Sequence, residues 1–409
     1  MNLFGALRLP RSVLFGSGQR GAIGSIAAQI GRRALICTDA RLGGDAQFHA
    51  VLADLQRRGV QTLVYDRTQP DLPIESIVDC IGAAASFSPQ LIIGIGGGSC
   101  MDLAKTVATL LSHGGKISDY YGEHKLPGPV VPLLAVPTTS GTGSEVTPVA
   151  VVADSERGSK IGVSSPYLVP LIAVCDPELT LSCPPVLTAY SGGDALTHAI
   201  ESFTAAARIP DPMLTLQHVF VGKNALSDHF ALLAISSIWK SLPRAYRNGA
   251  DIEAREHLML GALTAGCAFG IAGTAAAHAL QYPIGNLTHT AHGAGVAALL
   301  PYVMEFNRPA CTGAFAQIAR ALGIGDVGES DDVLSRRLID DVAHLLDSVG
   351  IPRTLRDLGL PADRQDWTAE SALGITRLVK NNPRPLDLQA MQAITRAAYT
   401  GDRASLRTA

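Results

Sequence analysis

Short apolar runs and segments of helical periodicity alternate along the first half of the chain. The apolar runs cover residues 33–38, 60–65, 90–95 and 130–136, and helical spacing is found over residues 48–58 and 74–86. Because strands that alternate with helices form βαβ units, this order predicts a parallel sheet. The runs are continuously apolar, which favours a sheet covered by helices on both faces.

The pattern changes after Pro184 and Pro185, where Ala and Leu become frequent and β-branched runs become rare. Helical periodicity covers residues 231–241, 252–266, 313–322 and 332–349. We therefore predict an α/β domain over residues 1–185 and an all-α domain over residues 186–409. The segment 205–224, which contains Pro210 and Pro212, is predicted to be an irregular connection within the helical half.

Composition and charge exclude several classes of protein. The 409 residues are 47% hydrophobic and 17% charged, which is typical of a globular chain with large cores and not of a disordered one. The net charge of −3 provides no basic surface for nucleic acid or an anionic membrane. No run of 18 apolar residues and no secretory h-region are found, so we expect a cytoplasmic protein without membrane or nucleic-acid partners.

The seven cysteines are scattered and include no Cys-x-x-Cys pair. This spacing fits neither a disulfide framework nor a zinc site made of thiolates. A metal site in this chain would therefore need nitrogen and oxygen ligands.

Three glycines, Gly96 to Gly98, follow the apolar run 90–95. Glycine allows a backbone to approach a pyrophosphate closely, and a helix N-terminus adds N–H groups and a positive dipole end. We predict that Ser99 caps the helix that follows and that Asp102 lies in its first turn. The spacing differs from Gly-x-Gly-x-x-Gly, so a tight structural turn is the alternative interpretation.

A second polar loop, Pro-Thr-Thr-Ser-Gly-Thr-Gly-Ser-Glu over residues 137–145, follows the run 130–136. In open α/β sheets, ligands bind outside the carboxyl ends of the strands, so two such loops together favour nucleotide binding over a solvated loop. Asp39 ends the first apolar run. An acidic residue there suits the ribose hydroxyls of NAD and disfavours the 2′-phosphate of NADP, although a turn-forming Asp is the alternative.

Acidic and imidazole side chains form a second group of candidates, in the helical half. Asp194 and His198 are four residues apart and share one helix face among apolar neighbours. His278 and His292 also lie among small apolar residues. One Asp and three His would suit Fe²⁺, Zn²⁺, Ni²⁺ or Mn²⁺. Each histidine taken singly is also compatible with an ordinary core position.

Five motifs occur in a fixed order. They are Gly96-Gly97-Gly98-Ser99-x-x-Asp102-x-Ala104-Lys105, the loop 137–145, Gly193-Asp194-x-x-x-His198-x-x-Glu201, the pair His278 and His292-Gly293, and Asn382-Pro383-Arg384-Pro385. Together they resemble the iron-containing (group III) alcohol dehydrogenases, over residues 4–388. The resemblance implies a dehydroquinate synthase-like fold, in which an N-terminal domain binds NAD(P), a helical C-terminal domain holds a divalent metal, and the active site lies in the cleft between them.

The resemblance also assigns residues. It implies the metal ligands Asp194, His198, His278 and His292, and it places His278, Tyr282 and His292 in the catalytic group. It implies cofactor contacts from Asp39, Gly97, Gly98, Ser99, Asp102, Thr138, Thr139, Thr142, Lys160, Leu179 and Cys183. Lys160 matches a lysine near the nicotinamide ribose, and Leu179 and Cys183 match residues that line the nucleotide pocket.

Two departures from the family pattern affect these expectations. Tyr282 stands where the family often has a histidine that relays protons, and a phenol with an ordinary pKa near 10 is a poorer shuttle at neutral pH. The proton path through Tyr282, His289 or the cofactor ribose therefore stays open. The chain is also longer between His198 and His278, around residues 208–224, as in the hydroxyacid–oxoacid transhydrogenase branch.

The sequence thus predicts a metal- and NAD-dependent alcohol dehydrogenase or aldehyde reductase for a small alcohol, diol or hydroxyacid. The resemblance favours NAD over NADP, Fe²⁺ over Zn²⁺, and a homodimer. The alternatives are a hydroxyacid–oxoacid transhydrogenase, a maleylacetate reductase-like enzyme, a lyase with the dehydroquinate synthase architecture, and a binding protein with a degraded site.

Overall fold

The computed structural model describes residues 3–407, which divide into two compact units. One unit comprises Arg8–Cys183 and Met213–Val219, and the other comprises Pro184–Pro212, Phe220–Ala409 and the N-terminal segment Met1–Leu7, as far as these are described. The first is an α/β unit and the second is helical.

A six-stranded sheet in which all strands are parallel forms the centre of the α/β unit, in the order β1-β9-β6-β4-β2-β3. A second sheet has the order β5-β8-β7. The strands are β1 (Ser12–Phe15), β2 (Arg33–Cys37), β3 (Gln61–Tyr65), β4 (Leu91–Gly96), β5 (Gly122–Glu123), β6 (Leu133–Pro137), β7 (Val149–Asp154), β8 (Ser159–Ser164) and β9 (Ile172–Cys175). The helices are α1 (Ile23–Ile30), α2 (Ala46–Arg57), α3 (Ile74–Ala84) and α4 (Gly98–His113).

The predicted sheet is confirmed, and helices cover both of its faces. Ile92 of β4 packs with Leu103 and Val107 of α4, whereas its neighbour Ile93 packs on the opposite face with Ile23 of α1 and Leu55 of α2. Every residue of β4 is buried. This two-sided burial explains why the strands are continuously apolar.

The helical unit is built around α5 (Pro185–Thr204), which is buried continuously from Gly192 to Thr204. The other helices are α6 (Leu214–Gln217), which belongs to the α/β unit, and α7 (Ala225–Arg247), α8 (Ile252–Ala272), α9 (Ala276–Thr288), α10 (His292–Leu322), α11 (Asp331–Ser348), α12 (Gln365–Leu373), α13 (Thr376–Asn381) and α14 (Leu388–Thr400). Short 3₁₀ helices cover Gln19–Ala22, Leu42–Gly44, Ile117–Tyr120, Pro166–Leu168, Pro177–Thr180, Ala362–Arg364 and Arg403–Arg407. The face of α5 that carries Asp194, His198 and Glu201 is buried as well, so these polar side chains need partners inside the protein.

The connection 205–224 differs from the prediction in two respects. It contains the short helix α6, and its part Met213–Val219 belongs to the α/β unit. The guanidinium group of Arg8 donates to the carbonyl oxygens of His218 and Val219, and Glu123 Oε2 accepts the Val219 amide at 2.7 Å. These contacts join residues that are far apart in sequence, so local periodicity could not indicate them.

No single helix within residues 3–407 is long and apolar enough to cross a membrane. The pair α8 and α9 together has the length and composition of a membrane span, but the two helices are bent by 101° where they meet.

Candidate active site

Three imidazole groups converge on one carboxylate oxygen in the helical unit. The Nε2 atoms of His198, His278 and His292 lie 3.6, 3.6 and 3.7 Å from Oδ1 of Asp194. Asp194 and His198 lie one turn apart on α5, His278 lies in the first turn of α9, and His292 is the first residue of α10. The structure therefore brings all four predicted metal ligands together from three helices.

Three of the four side chains in the cluster are buried, and the fourth is partly exposed. Asp194, His198 and His278 are 3%, 5% and 3% exposed, whereas the side chain of His292 is 27% exposed. Burial opposes ionisation of Asp194, but the charges of His198 and His292 outweigh it and hold the pKa of that carboxyl well below its usual range. Burial also lowers the pKa of His278, but the carboxylates of Glu201 and Asp194 outweigh this effect and raise it to about 9.

The donor set fits a divalent metal ion. Asp194 Oδ1 and His278 Nε2 are buried and have no hydrogen-bond partner within the described part of the chain. Buried polar atoms without partners are costly, and a cation between them would compensate both. Ligand atoms bonded to one metal at about 2.0–2.2 Å lie about 3.0–3.6 Å from one another, close to the separations observed here. Asp194, His278 and His292 also form a group whose ligand atoms lie within 4.8 Å of one another.

Glu201 belongs to the motif Gly193-Asp194-x-x-x-His198-x-x-Glu201, but the sequence alone assigned it no role. Its Oε2 atom lies 2.6 Å from Nδ1 of His278, and its carboxylate also accepts the backbone N–H groups of Ala275 and Ala277 at 2.8 and 2.7 Å. A donor at Nδ1 leaves the lone pair on Nε2, the nitrogen that faces Asp194. The signal was available in the sequence, since Asp194, His198 and Glu201 follow the i, i+4, i+7 spacing of one helix face.

Two glycines allow α5 and α10 to approach closely at the cluster. A Cβ atom on Gly293 would lie 2.2 Å from the carbonyl oxygen of Tyr190, and one on Gly193 would lie 2.8 Å from Cβ of Ala297. Neither position accepts a side chain without separating the helices. These glycines therefore allow His292, at the start of α10, to reach Asp194 on α5.

Aromatic rings surround the imidazoles. His198 stacks between Phe269 and His278, with ring centroids 4.1 and 4.6 Å away. Tyr282 lies one turn after His278 on α9, is buried, and has its ring centroid 6.1 Å from that of His292. His289 is exposed in the left-handed position that ends α9. Tyr282 is thus the buried one of the two candidate proton relays, and its ring lies beside that of a predicted ligand.

The glycine turn of the α/β unit joins β4 to α4. The helix begins at Gly98, with Gly97 in extended conformation as its N-cap and no side-chain cap. The predictions that Ser99 caps this helix and that Asp102 lies in its first turn were therefore wrong, because the helix begins two residues earlier than predicted and Ser99 itself lies in the first turn. Asp102 instead accepts hydrogen bonds from the Ser144 hydroxyl at 2.7 Å and from the Val151 amide at 2.9 Å.

The structure places the two predicted nucleotide loops side by side, since β4 and β6 are neighbours in the sheet. The Thr138 amide donates to the Gly96 carbonyl oxygen at 2.9 Å. A Cβ on Gly97 would lie 3.7 Å from the Thr139 side chain, and one on Gly98 only 2.7 Å from Cγ2 of Thr142. Gly98 thus leaves room for Thr142 at the carboxyl edge of the sheet, where α/β proteins bind ligands, whereas a side chain at position 97 would make only an ordinary contact with Thr139.

A buried lysine holds the second loop in place. Lys105 of α4 donates from Nζ to the Ser144 hydroxyl and to the carbonyl oxygens of Thr147 and Val149, each at 2.9 Å. Burial lowers the pKa of Lys105 to about 8, although the negative charges nearby oppose this change. Burial also raises the pKa of the adjacent Glu145 to about 7. Lys105 is a further residue to which the sequence analysis gave no role.

The remaining predicted cofactor residues occupy separate positions in the α/β unit. Asp39 is half-buried and accepts the Leu42 amide at 3.2 Å. Lys160 lies on β8 and forms a 2.6 Å ion pair with Asp71. Leu179 and Cys183 are buried, and the Cys183 thiol lies 3.1 Å from the carbonyl oxygen of Thr138. Cys183 is therefore brought to the second loop, whereas Lys160 is held by an acidic partner.

The chain matches two family models that together cover most of its length. Residues 10–177 match "Iron-containing alcohol dehydrogenase", and residues 188–399 match "Fe-containing alcohol dehydrogenase family, C-terminal". The boundary between the two matches lies near the start of α5, where the helical unit begins.

Curated relatives and solved structures extend over nearly the whole chain. A long-chain-alcohol dehydrogenase 1 of Geobacillus thermodenitrificans is 37% identical over 93% of this chain and 94% of its own length. An NAD-dependent methanol dehydrogenase of Bacillus methanolicus is 32% identical over 95% of this chain and 98% of its own length. The crystal structure of a 1,3-propanediol oxidoreductase superposes with a TM-score of 0.90 at 30% identity, covering 97% of this chain and all of that one.

The family models, the relatives and the solved structure all point to the same family, and the convergence of three imidazoles on one buried carboxylate is consistent with it. The α/β unit with its parallel sheet and the helical unit are both those of this family. On these grounds the chain belongs to the iron-containing alcohol dehydrogenase family and is an oxidoreductase that acts on CH–OH groups.

Proposed function

We propose that this enzyme oxidises a small alcohol with NAD⁺, or reduces the aldehyde with NADH, at an iron site made by Asp194, His198, His278 and His292. The single observation that carries the proposal is the convergence of three Nε2 atoms on one buried carboxylate oxygen, at 3.6, 3.6 and 3.7 Å. The family description supports Fe²⁺ as the ion, with Zn²⁺ as the alternative for the same ligand types.

The protein side chains prepare this site in two ways. Glu201 holds His278 by its Nδ1 atom, so that the ring presents Nε2 to Asp194. The partial exposure of His292 leaves one side of the cluster accessible to a small ligand. A divalent cation held there supplies Lewis-acid chemistry, which stabilises negative charge on an alcohol oxygen or polarises an aldehyde carbonyl.

The α/β unit is assigned to the nucleotide. The turn at Gly96–Gly98 presents the N-terminus of α4, whose N–H groups and dipole suit a pyrophosphate. Ser99, Thr138, Thr139 and Thr142 add hydroxyl groups around this turn, while Asp102 and Lys105 fix the second loop to α4. Asp39 follows β2, where a carboxylate favours the ribose hydroxyls of NAD over the phosphate of NADP. The NAD-dependent methanol dehydrogenase among the relatives supports the same preference.

Tyr282 is proposed as the group that exchanges a proton with the substrate oxygen or with water. It is buried, lies next to His292, and occupies the helix turn after His278. Small alcohols, diols and hydroxyacids stay the proposed substrate class, and a homodimer stays the proposed assembly.

One experiment tests the proposal directly. Purified protein is analysed for metal and assayed for reduction of NAD⁺ and NADP⁺ with a panel of alcohols, diols and hydroxyacids. We expect about one iron per chain and alcohol-dependent NADH formation, both lost in His278→Ala and both kept in the control His257→Ala, since His257 is exposed on α8 and belongs to no predicted site.

Metal and turnover retained in His278→Ala would contradict the assignment. Metal bound without net reduction of added cofactor, but with turnover once an oxoacid acceptor is supplied, would instead favour the transhydrogenase alternative.

A further inference from the structure

The segment 381–385, which contains the motif Asn382-Pro383-Arg384-Pro385, has no role in the site described so far. Its first residue, Asn381, contacts the backbone near both helices that carry most of the ligands. We propose that Asn381 is a positioning residue, which fixes α9 relative to α5 and thereby sets the metal affinity of the cluster. This inference rests on the metal site proposed above.

The side chain of Asn381 holds the corner between α8 and α9. Its Nδ2 atom donates to the carbonyl oxygens of Ala272 and Thr274 at 3.0 and 3.1 Å. Gly273, between them, has a φ of 84°, and a Cβ there would lie 3.0 Å from the Asn381 amide. The two helices turn by 101° at this point, so the corner determines the direction in which α9 leaves it.

The backbone of the same residue holds the end of α5. The carbonyl oxygen of Asn381 accepts the amide of Ala206 at 2.9 Å, two residues after the last residue of α5. One residue therefore binds the end of the helix that carries Asp194, His198 and Glu201 and the corner from which the helix with His278 starts.

The corner leads directly to the ligand. Ala275 and Ala277 follow Thr274 and donate their amides to the Glu201 carboxylate at 2.8 and 2.7 Å, and the same carboxylate binds His278 Nδ1 at 2.6 Å. Ala275 is the N-cap of α9 and Ala277 lies in its first turn, where N–H groups lack partners within the helix. A shift of the corner would therefore lengthen the bonds to Glu201 and move His278 Nε2 relative to Asp194.

The chemistry of this position requires an amide. One NH₂ group provides two hydrogens for two carbonyl oxygens, which neither a carboxylate nor an apolar side chain can do. Asn381 is 7% exposed, so water does not readily replace it. Residues that hydrogen-bond directly to a metal ligand, as Glu201 does, typically change metal affinity by about 10–100-fold when they are replaced, and Asn381 acts on Glu201 through the corner.

Asn382, the next residue in the chain, is the matched control for the loss of a buried amide. It is 5% exposed, and its amide pairs reciprocally with that of Asn307 and donates to the Arg384 carbonyl oxygen. Its side-chain bonds do not reach the 272–277 corner. Replacement of Asn382 by Ala should cost a similar amount of folding free energy, because both variants delete buried amide hydrogen bonds.

The test measures Zn²⁺ affinity of the metal-free, full-length protein by competition with a chromophoric chelator, together with the thermal shift caused by Zn²⁺. We expect Asn381→Ala to weaken Zn²⁺ binding by about 10–100-fold and to reduce the Zn²⁺-induced rise in Tm. Asn382→Ala should bind Zn²⁺ like the unmodified protein, and both variants should keep its Kd for NADH. Should Asn381→Ala not fold, Asn381→Asp takes its place, since Asp keeps the shape of the side chain but has no NH₂ group for the two carbonyl oxygens, so a comparable loss is expected.

Equal Zn²⁺ affinity in the Asn381 variant and the unmodified protein would overturn the inference and leave the metal site intact. Equal losses in the Asn381 and Asn382 variants would also overturn it, because they would indicate a general loss of stability. Absence of Zn²⁺ binding in the unmodified protein would overturn the proposed site itself and, with it, this inference.

Discussion

Glu201 Oε2 and His278 Nδ1 lie 2.6 Å apart in the interior of the helical unit, and this contact selects Nε2 as the nitrogen that faces Asp194. The Glu201 carboxylate accepts hydrogen bonds from three N–H groups, and Glu201→Gln would place its own NH₂ group against at least one of them. We expect metal affinity to fall by about 10–100-fold, which a chelator competition titration measures.

Glu305→Gln is the control for this prediction, since Glu305 is equally buried but lies among Arg308, Arg403 and Arg407. A similar loss of metal in both variants would show that burial of a carboxylate, and not its contact with His278, explains the result.

Gly293 determines how closely α10 approaches α5. In Gly293→Ala the new Cβ would lie 2.2 Å from the Tyr190 carbonyl oxygen, so the helices must separate. We expect a loss of about 1–3 kcal/mol in the free energy of unfolding, together with weaker metal binding because His292 moves with α10. Chemical denaturation and metal analysis measure the two effects.

Gly313 lies further along the same helix and provides the comparison. A Cβ there would lie 3.7 Å from Asp331, an ordinary contact, and alanine is the better helix former. Gly313→Ala should therefore keep its metal and be as stable as the parent or more so. Normal metal content in Gly293→Ala would contradict the close-approach explanation.

Asp39 is expected to discriminate between NAD and NADP through its charge. Asp39→Asn keeps an oxygen that accepts the Leu42 amide but removes the repulsion toward a 2′-phosphate. We expect the ratio of kcat/KM for NADP⁺ to that for NAD⁺ to rise about tenfold or more, equivalent to about 1.4 kcal/mol. Asp45→Asn is the control, because Asp45 caps α2 and Asn caps helices equally well. An unchanged ratio in Asp39→Asn would remove Asp39 from the cofactor site.

Glu145 should give the protein a defined pH dependence. Burial raises its pKa from 4.5 to about 7, so between these values the folded state binds more protons than the unfolded state. The contribution of Glu145 to the free energy of unfolding is therefore fully present below pH 4.5 and is lost as the pH rises toward 7. In Glu145→Gln this contribution disappears.

The measurement is the difference in unfolding free energy between Glu145→Gln and the unmodified protein, across this pH range in the metal-free state. The unmodified protein should lose up to about 3 kcal/mol relative to the variant as pH rises. Parallel pH curves for the two proteins would contradict the raised pKa.

Local patterns in the sequence determined the layered α/β half. Strands β2, β4 and β6 were predicted because burial on both faces requires continuous apolar runs, which are visible without knowledge of the fold. The edge strand β3 is partly exposed, and its run was recognised by its apolar residues Leu63 to Tyr65. Asp194 and His198 could be paired for a similar reason, since residues four apart share a helix face by backbone geometry alone. The start of α4 was misplaced because Ser is a favoured N-cap by propensity, whereas Gly97 already has the required extended conformation.

Which distant residues meet depends on the tertiary structure. His278 and His292 lie on other helices, and it is the packing of α9 and α10 against α5, permitted by Gly193 and Gly293, that brings them to Asp194. The contacts of Arg8 with the 213–219 segment and of Asn381 with the α8–α9 corner are likewise invisible to periodicity. Strands, helices, motifs and the family resemblance can be recognised from the sequence alone, because each depends on residues that are close together in the chain. Ligand convergence and the positioning of His278 depend on long-range packing, which no local pattern encodes.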